Sequence, residues 1–282
     1  MKNRRLHTFI VCFVMMIFLC GCTKKSNSTF NIRFIDVGQG DSALVECDGH
    51  YMLIDGGDKS HGDKVYRTLQ DENVNHLDIL VVSHIHDDHI GGLPKALTWA
   101  STVDLALCAV DETNSDELFQ SFVSRLVENG GKLTKPSVGQ EYKLGSATVK
   151  ILDYGTTWNE SMVLLVTYGN TSFLFTGDME HDMENRMCGQ YNDELTVTLL
   201  KVSHHGADSS TSIRFLDMLT DPKRKMKQYA VISVGQNNRY GHPDQVVLDR
   251  LDQAGFEVYR TDKNGDIFVQ SNGKNLKIKT GK

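Results

Sequence analysis

Apolar and polar positions alternate over NIRFIDV (31–37), the period-two pattern of a strand with one buried face. ALVECDGHYMLIDGG (43–57) carries the same pattern on both sides of Asp48-Gly49, which predicts a hairpin whose second strand stops at Asp55-Gly56-Gly57. A helical stretch near 61–73 leads to DILVVS (78–83), the continuous apolar run of a buried strand. A helix is expected over 89–98 and a strand near 103–110. DELFQSFVSRLVENGG (116–131) joins an acidic start, apolar 3/4 spacing and a glycine stop, so it reads as a helix. Short strands in YKLGSATVKIL, SMVLLVTYG and SFLFTGD fill 141–175.

The second half follows the same style. TVTLLKVSHHG (196–206) reads as a strand ending in histidines, IRFLDML (213–219) as a helix and YAVISVG (229–235) as a strand. HPDQVVLDRLDQAG (242–255) reads as a helix with Pro243 in its first turn. EVYRTD and DIFVQSNGKNLKIKT close the chain as strands, turning at Asn272-Gly273. No long Pro/Ser linker interrupts residues 30–282, so the pattern predicts one α/β domain, two sheets covered by helices.

The N-terminus breaks the pattern. MKNRRLH is basic, and Phe9–Leu19 is an uninterrupted apolar run too short to cross a bilayer core about 30 Å thick. It fits the apolar region of a secretory signal peptide. LCGC (19–22) resembles the lipobox of bacterial lipoproteins, which implies cleavage after residue 21 and lipid on Cys22. The alternative is an uncleaved anchor helix, and both readings place the remainder outside the cytoplasm, at the membrane. The expected organisation is a signal peptide over 1–21, a lipid-anchored tether over 22–30 and one folded domain over 31–282.

Composition narrows the partners. The 282 residues hold 30 basic and 36 acidic side chains, a net charge of −6. Residues 1–21 contain Lys2, Arg4 and Arg5 and no acid, so cleavage leaves 27 basic against 36 acidic residues, net −9. Tight non-specific DNA binding, driven by counterion release, is not what such a balance predicts. Outside the signal only Cys47, Cys108 and Cys188 remain, with no paired spacing. A disulfide framework or a cysteine zinc site is therefore not expected, although one bridge plus a free thiol is open. No protein partner is inferred.

Chemistry gathers where predicted strands end. LIDGG ends at Asp55, ILVVSHIHDDH in three histidines and two aspartates, FLFTGD at Asp178 and LLKVSHH at His204 and His205. Layered α/β folds collect their sites at strand ends. His84 and His86 stand two apart, so an extended backbone turns both imidazoles the same way. Imidazole and carboxylate suit zinc, with manganese or iron as alternatives. Asp88 and His89 follow directly and share that face only if the chain turns, which points to a second ion. Two ions about 3.5–4 Å apart generate hydroxide and clamp both oxygens of a displacement at phosphorus or carbonyl. A charged surface turn is the plain alternative, and this spacing after a buried strand speaks against it.

HIHDDH resembles the H-x-H-x-D-H signature of the metallo-β-lactamase superfamily. More narrowly, IDVGQGDSALVE, LIDGG, VVSHIHDDHIGGL, NESMVLLV, FLFTGD, KVSHHGADSSTS, ISVGQNNRYGHP and YRTDKNGDI resemble, in that order, the ComEC-type metallo-β-lactamase-like domain. The likeness runs from about Asn31 to Phe268. It implies a four-layer αββα sandwich with two divalent metal ions, zinc first and manganese as the alternative. His84 and His86 would hold one ion, Asp88 and His89 the other, with Asp178 between them and His204 completing the second. His205 is expected to be the lesser candidate, and Asp55 to orient the histidine loop. Asp41, in the GQGD turn, is either a hairpin residue or a support beside the site. The superfamily's usual third histidine for the first ion is missing. The ComEC-like pattern has asparagine and serine in that region, and this chain has Asn159-Glu160-Ser161. Asn159 would coordinate weakly or bind substrate.

His242 precedes a predicted helix, where it would assist a leaving group or merely cap. Ser209–Ser212 would cap the next helix or hold phosphate at its N-terminus. The leading expectation is a surface-anchored phosphodiesterase or nuclease of ComEC type, using a dinuclear metal-bound hydroxide on a phosphodiester such as DNA. ComEC parents act on DNA during uptake and also carry a membrane channel; uptake is not inferred for this chain. One alternative is a phosphorylcholine-esterase-like enzyme, which needs an aromatic cage for a quaternary ammonium. Another is a non-catalytic lipoprotein that binds metal or a ligand.

Overall fold

The computed structural model describes residues 29–155, 160–192, 195–220 and 226–282. The expected signal sequence, Cys22, nearly all of the tether and Asn159 lie outside the described residues. Among the described residues no helix is long and apolar enough to cross a membrane.

Strands β1 (Phe30–Phe34), β2 (Ala43–Cys47), β3 (His50–Ile54), β4 (His76–Val82), β5 (Thr102–Cys108) and β6 (Leu133–Thr134) build most of one sheet. Its helices are α1 (Gly62–Asp71), α2 (Asp87–Ile90), α3 (Leu93–Ala96) and α4 (Glu117–Glu128). The second half contributes β7 (Glu141–Leu144), β8 (Ala147–Asp153), β9 (Val163–Tyr168), β10 (Thr171–Phe175), β11 (Leu199–Lys201), β12 (Gln228–Ile232) and β13 (Phe256–Arg260). Its helices are α5 (His181–Tyr191), α6 (Ile213–Leu219) and α7 (Gln245–Gln253), followed by the short α8 (Thr261–Asn264). The closing hairpin, β14 (Ile267–Ser271) and β15 (Leu276–Thr280), returns to the first sheet. The strand orders are β15-β14-β1-β2-β3-β4-β5-β6 and β13-β12-β11-β10-β9-β8-β7.

Three apolar layers separate four structural ones. Between the sheets, Phe30 stacks on Phe173 at 4.7 Å and Phe34 on Phe175 at 5.9 Å. Each such ring contributes about 1.5–3 kcal/mol by leaving water. Leu69, Leu80, Phe119 and Phe122 fill the space between the first sheet and its helices. Met183, Leu200, Phe215 and Leu251 do the same for the second. The result is the αββα sandwich. The second half of β4, Ile79–Val82, shows why it is continuously apolar: Ile79 and Val81 face the other sheet, while Leu80 and Val82 face the helices.

Strands β3 to β6 are parallel, as are β10 to β13. The C-terminal ends of β3, β4, β10, β11 and β12 therefore share one edge of the sandwich. Strand β1 is antiparallel to β2, which is antiparallel to β3, so its end reaches that edge too.

Local departures from expectation have local causes. The helix expected over 89–98 is two short ones, α2 and α3, divided at Gly91-Gly92. A side chain on Gly92 would sit 2.1 Å from the Gly56 carbonyl, so the two loops meet backbone to backbone. Pro243 stands outside α7, whose N-cap is Asp244. The TD of EVYRTD opens the short helix α8 rather than continuing a strand. Ser212 caps α6 by accepting from Phe215 N, and the buried Glu184 carboxylate accepts from the backbone N–H groups of Thr211 and Ser212. The chain's own carboxylate takes the place suggested for phosphate. Cys47, Cys108 and Cys188 are free and buried, and burial pushes the Cys108 thiol up to about 12.

Candidate metal centre

The site is built from loops that leave the shared edge. After β4, His86 is the N-cap of α2, so Asp88 and His89 lie in its first turn. That is the turn the sequence demanded for the histidine loop to present two faces. The 36–41 loop lies against it, with Asp41 N donating to Asp88 O at 3.0 Å. A side chain on Gly40 would stand 2.4 Å from that carbonyl, so glycine is what permits the approach.

Two clusters of donor atoms meet at Asp178. His84, His86 and Asp178 make one; Asp88, His89, Asp178 and His205 make the other. Asp178 belongs to both. Its Oδ2 lies 3.7 Å from His84 Nε2, and its Oδ1 lies 3.2 Å from His89 Nε2 and 3.6 Å from His205 Nε2. His84 Nε2 and His86 Nδ1 converge to 2.9 Å.

Each buried imidazole is held from behind. His89 Nδ1 lies 2.9 Å from Asp55 Oδ2, and His205 Nδ1 lies 2.9 Å from the Ser233 carbonyl. Both acceptors fix the proton on Nδ1 and leave Nε2 facing the cluster. His84 Nδ1 sits between the Ser83 and Ser161 hydroxyls, at 3.1 and 3.2 Å. Asp55 also accepts from Ser83 N and Ser83 Oγ, at 2.8 and 2.7 Å. Its φ of 57° is what aims the side chain back at the histidine loop. Ser161 Oγ also accepts from Asp178 N at 2.8 Å.

Electrostatics agree with the geometry. Burial, reinforced by His89, pushes the His84 imidazole down to about 3. Burial opposes charge on His205, yet Asp178, with Asp41 and Asp88, lifts it to about 10. Against the same burial, Asp178 and Asp55 hold His89 well above its ordinary value. Burial likewise opposes charge on Asp178, and His89 and His205 pull it well below the usual carboxylate range. The buried carboxylates thus draw positive charge into their midst. His89 Nε2 and Asp178 Oδ1 are buried with no hydrogen-bond partner, facing one another. Orphaned donor atoms of this kind, on imidazole and carboxylate, fit divalent ions, whose binding displaces protons.

The two histidines of SHHG stand in the opposite order to the expectation. His205, 2% exposed, joins the second cluster with Nε2 3.1 Å from Asp88 Oδ2. His204 is 33% exposed, lies 3.8 Å from Asp178 Oδ2 and points toward Glu180. The reason is backbone: β11 stops at Lys201, and His204 and His205 both take left-handed conformations, φ 47° and 53°. Strand alternation no longer decides which side chain points inward.

His242 borders the site, its ring 6.1 Å from that of His204. Its Nδ1 is buried and unpartnered, and burial lowers its pKa. Asp41 supports His205, with Oδ1 3.5 Å from Nδ1. Lys201 is a residue that sequence reasoning missed. Its ammonium is buried, 2.7 Å from Asp41 Oδ2, and donates to Val202 O at 2.9 Å. A lysine inside the apolar run TLLKVS was the available signal, because a buried ammonium needs a partner. Ser83 and Ser161 were missed as well.

The family model described as Metallo-beta-lactamase superfamily matches residues 35–226. ComE operon protein 3 of Bacillus subtilis is 29% identical over 284 residues, covering 92% of this chain and 35% of its own length. Competence protein ComA of Neisseria gonorrhoeae is 29% identical over 243 residues, covering 82% of this chain and 31% of its own length. The chain thus spans about a third of the curated relatives it matches. Among solved structures, the metallo-β-lactamase fold protein YhfI from Bacillus subtilis superposes with a TM-score of 0.57 at 14% identity, over 86% of this chain and 100% of that one. CmlA, a diiron β-hydroxylase from Streptomyces venezuelae, superposes with a TM-score of 0.52 at 14% identity, over 83% and 52% of the two chains. These last two likenesses concern the fold. The chain belongs to the metallo-β-lactamase superfamily and is similar to its ComEC-type members, on a fold that typically holds two divalent metal ions and mostly serves hydrolases.

Proposed function

We propose that this chain is a metal-dependent phosphodiesterase acting on nucleic acid, held outside the cytoplasm by a lipid on Cys22. The observation that carries the reading is the pair of donor clusters sharing Asp178, with His242 at their margin. His84, His86 and Asp178 would hold one divalent ion, and Asp88, His89, His205 and Asp178 a second. Bound there, the ions would supply Lewis acidity toward the oxygens of a phosphodiester. The rest is done by this chain's own residues. Asp55, Ser83 and Ser233 hold the imidazoles in place before substrate arrives, so little reorganisation is needed during reaction. His242 would present a ring N–H to the leaving oxygen.

The first cluster has three donors and the second four, so the first ion should bind more weakly. The names of the relatives, a ComE operon protein and a competence protein, support nucleic acid as the substrate. The phosphorylcholine reading asks for an aromatic cage. Trp99 instead packs edge-on against Tyr66, 6.1 Å away, among the helices of the first sheet, and Trp158 lies outside the described residues.

The soluble chain 23–282, loaded with zinc or manganese, is expected to hydrolyse bis-p-nitrophenyl phosphate and linear DNA. His84→Ala and Asp178→Ala should reduce both to background. Variants that match the wild type would sink the reading. So would a fully loaded protein that leaves DNA intact yet releases phosphorylcholine.

A further inference from the structure

We propose that Arg239, Tyr240 and His242 form a stacking platform for an unpaired nucleobase next to the scissile phosphodiester, which makes single-stranded nucleic acid the substrate. The proposal rests on the phosphodiesterase reading for the bond that is cut.

Exposed aromatic rings are uncommon here. Among the described residues, only Tyr240 and Phe268 are large exposed aromatics, and Tyr240, at 53%, is the more open. A single exposed ring is ordinary in itself; what distinguishes Tyr240 is the way its loop holds it. It is not exposed by slack in that loop. Asn238 ties the turn together from within: its Nδ2 donates to the Gly235 and His242 carbonyls at 3.0 and 2.7 Å. Its Oδ1 accepts from Tyr240 N and His242 N, both at 3.1 Å. The loop is built to hold that ring out.

The ring also faces the site. Tyr240 stacks on His242, centroids 5.6 Å apart and planes 21° from parallel. His242 lies 6.1 Å from the His204 ring, and His204 lies 3.8 Å from Asp178. A continuous path of planar groups therefore runs from the shared carboxylate out to Tyr240. Arg239 sits on the same ring, its guanidinium 4.8 Å from the centroid, and donates to the Tyr240 hydroxyl at 2.7 Å. Among the described residues no carboxylate pairs with Arg239.

This chemistry selects the occupant. A quaternary ammonium seeks the bare negative face of an aromatic ring, and here a guanidinium already occupies that field and repels a second cation. A nucleobase stacks equally on a tyrosine or on a guanidinium plane, and the arginine's charge then meets the neighbouring phosphate. In a chain of net charge −6, general attraction for a polyanion is weak, so base stacking must carry more of the affinity. A duplex keeps its bases stacked on each other and would not use such a platform.

The test is fluorescence anisotropy of the metal-free chain with a labelled single-stranded oligothymidine, its all-abasic counterpart and a duplex. Tyr240→Ala should weaken oligothymidine binding about tenfold, as expected for one lost base stack. Tyr240→Phe and Tyr240→Trp should retain it, and the abasic strand should bind weakly to all four proteins. With metal, Tyr240→Ala should raise KM on oligothymidine more than it lowers kcat. Equal binding of oligothymidine by wild type and Tyr240→Ala overturns the platform, as does abasic or duplex binding as tight as oligothymidine. If the wild type cuts no phosphodiester but Tyr240→Ala still loses the strand, the platform stands as a binding site and the catalytic reading falls.

Discussion

The Lys201 ammonium and the Asp41 carboxylate meet at 2.7 Å with both side chains almost wholly buried. Asp41 joins β1 to the site, and Lys201 ends β11, so the pair bridges the two sheets directly behind His205. Lys201 and His205 hold Asp41 well below the usual carboxylate range, although burial works against its charge. Neither partner can be removed alone without stranding the other's charge out of water. Lys201→Met should therefore cost about 3–5 kcal/mol, and Lys201→Met with Asp41→Asn should recover most of it. Urea unfolding of the metal-free proteins measures both. Strictly additive effects would mean the two residues are not coupled.

The order of the two histidines in SHHG has a direct consequence for metal content. His205 stands in the second donor cluster and His204 at its margin. His205→Ala should lower the bound metal from about two equivalents to about one, while His204→Ala should keep both. Plasma emission spectrometry after exhaustive dialysis reads the difference. The reverse pattern would return the ligand role to His204.

Acid stability should depend on Asp266. This buried carboxylate accepts from Arg33 Nε and Nη2 and from Asp36 N, and ties β1 to the loop before β14. Burial alone would raise its pKa, but the Asp36 N–H, Arg33 and Lys64 together lower it below 3.8. A depressed carboxylate stabilises the fold at pH values above its unfolded pKa. That contribution is lost as the pH falls through the lower, folded value. Asp266→Asn should thus cost about 1.5–3 kcal/mol at pH 7, narrowing toward nothing in strong acid. Denaturation midpoints from pH 7 down to pH 2 would show the gap close. A gap that persists unchanged would remove Asp266 from the acid response.

Much of this protein is legible before folding. Burial on both faces makes Ile79–Val82 of β4 continuously apolar, and half-burial makes β1 alternate, so composition and period name the elements. Polar residues at the ends of apolar runs likewise mark Asp55, His84, His86, Asp88, His89 and Asp178, because such residues have no place inside a core. What the sequence could not decide is set by contacts between distant segments. The break at Gly91-Gly92 depends on the Gly56 carbonyl, and Pro243 stands outside its helix, where the next residue, Asp244, donates its N–H to the Gly206 carbonyl at 2.9 Å. Two consecutive left-handed residues reverse His204 and His205, a local conformation that no periodicity records. Lys201 stands inside an apolar strand because Asp41, 160 positions earlier in the chain, lies beside it. Residue type and spacing determined which chemistry the chain carries. Only the packing of two sheets face to face decided which side chains share it, because the partners that satisfy a buried charge come from wherever the fold brings them.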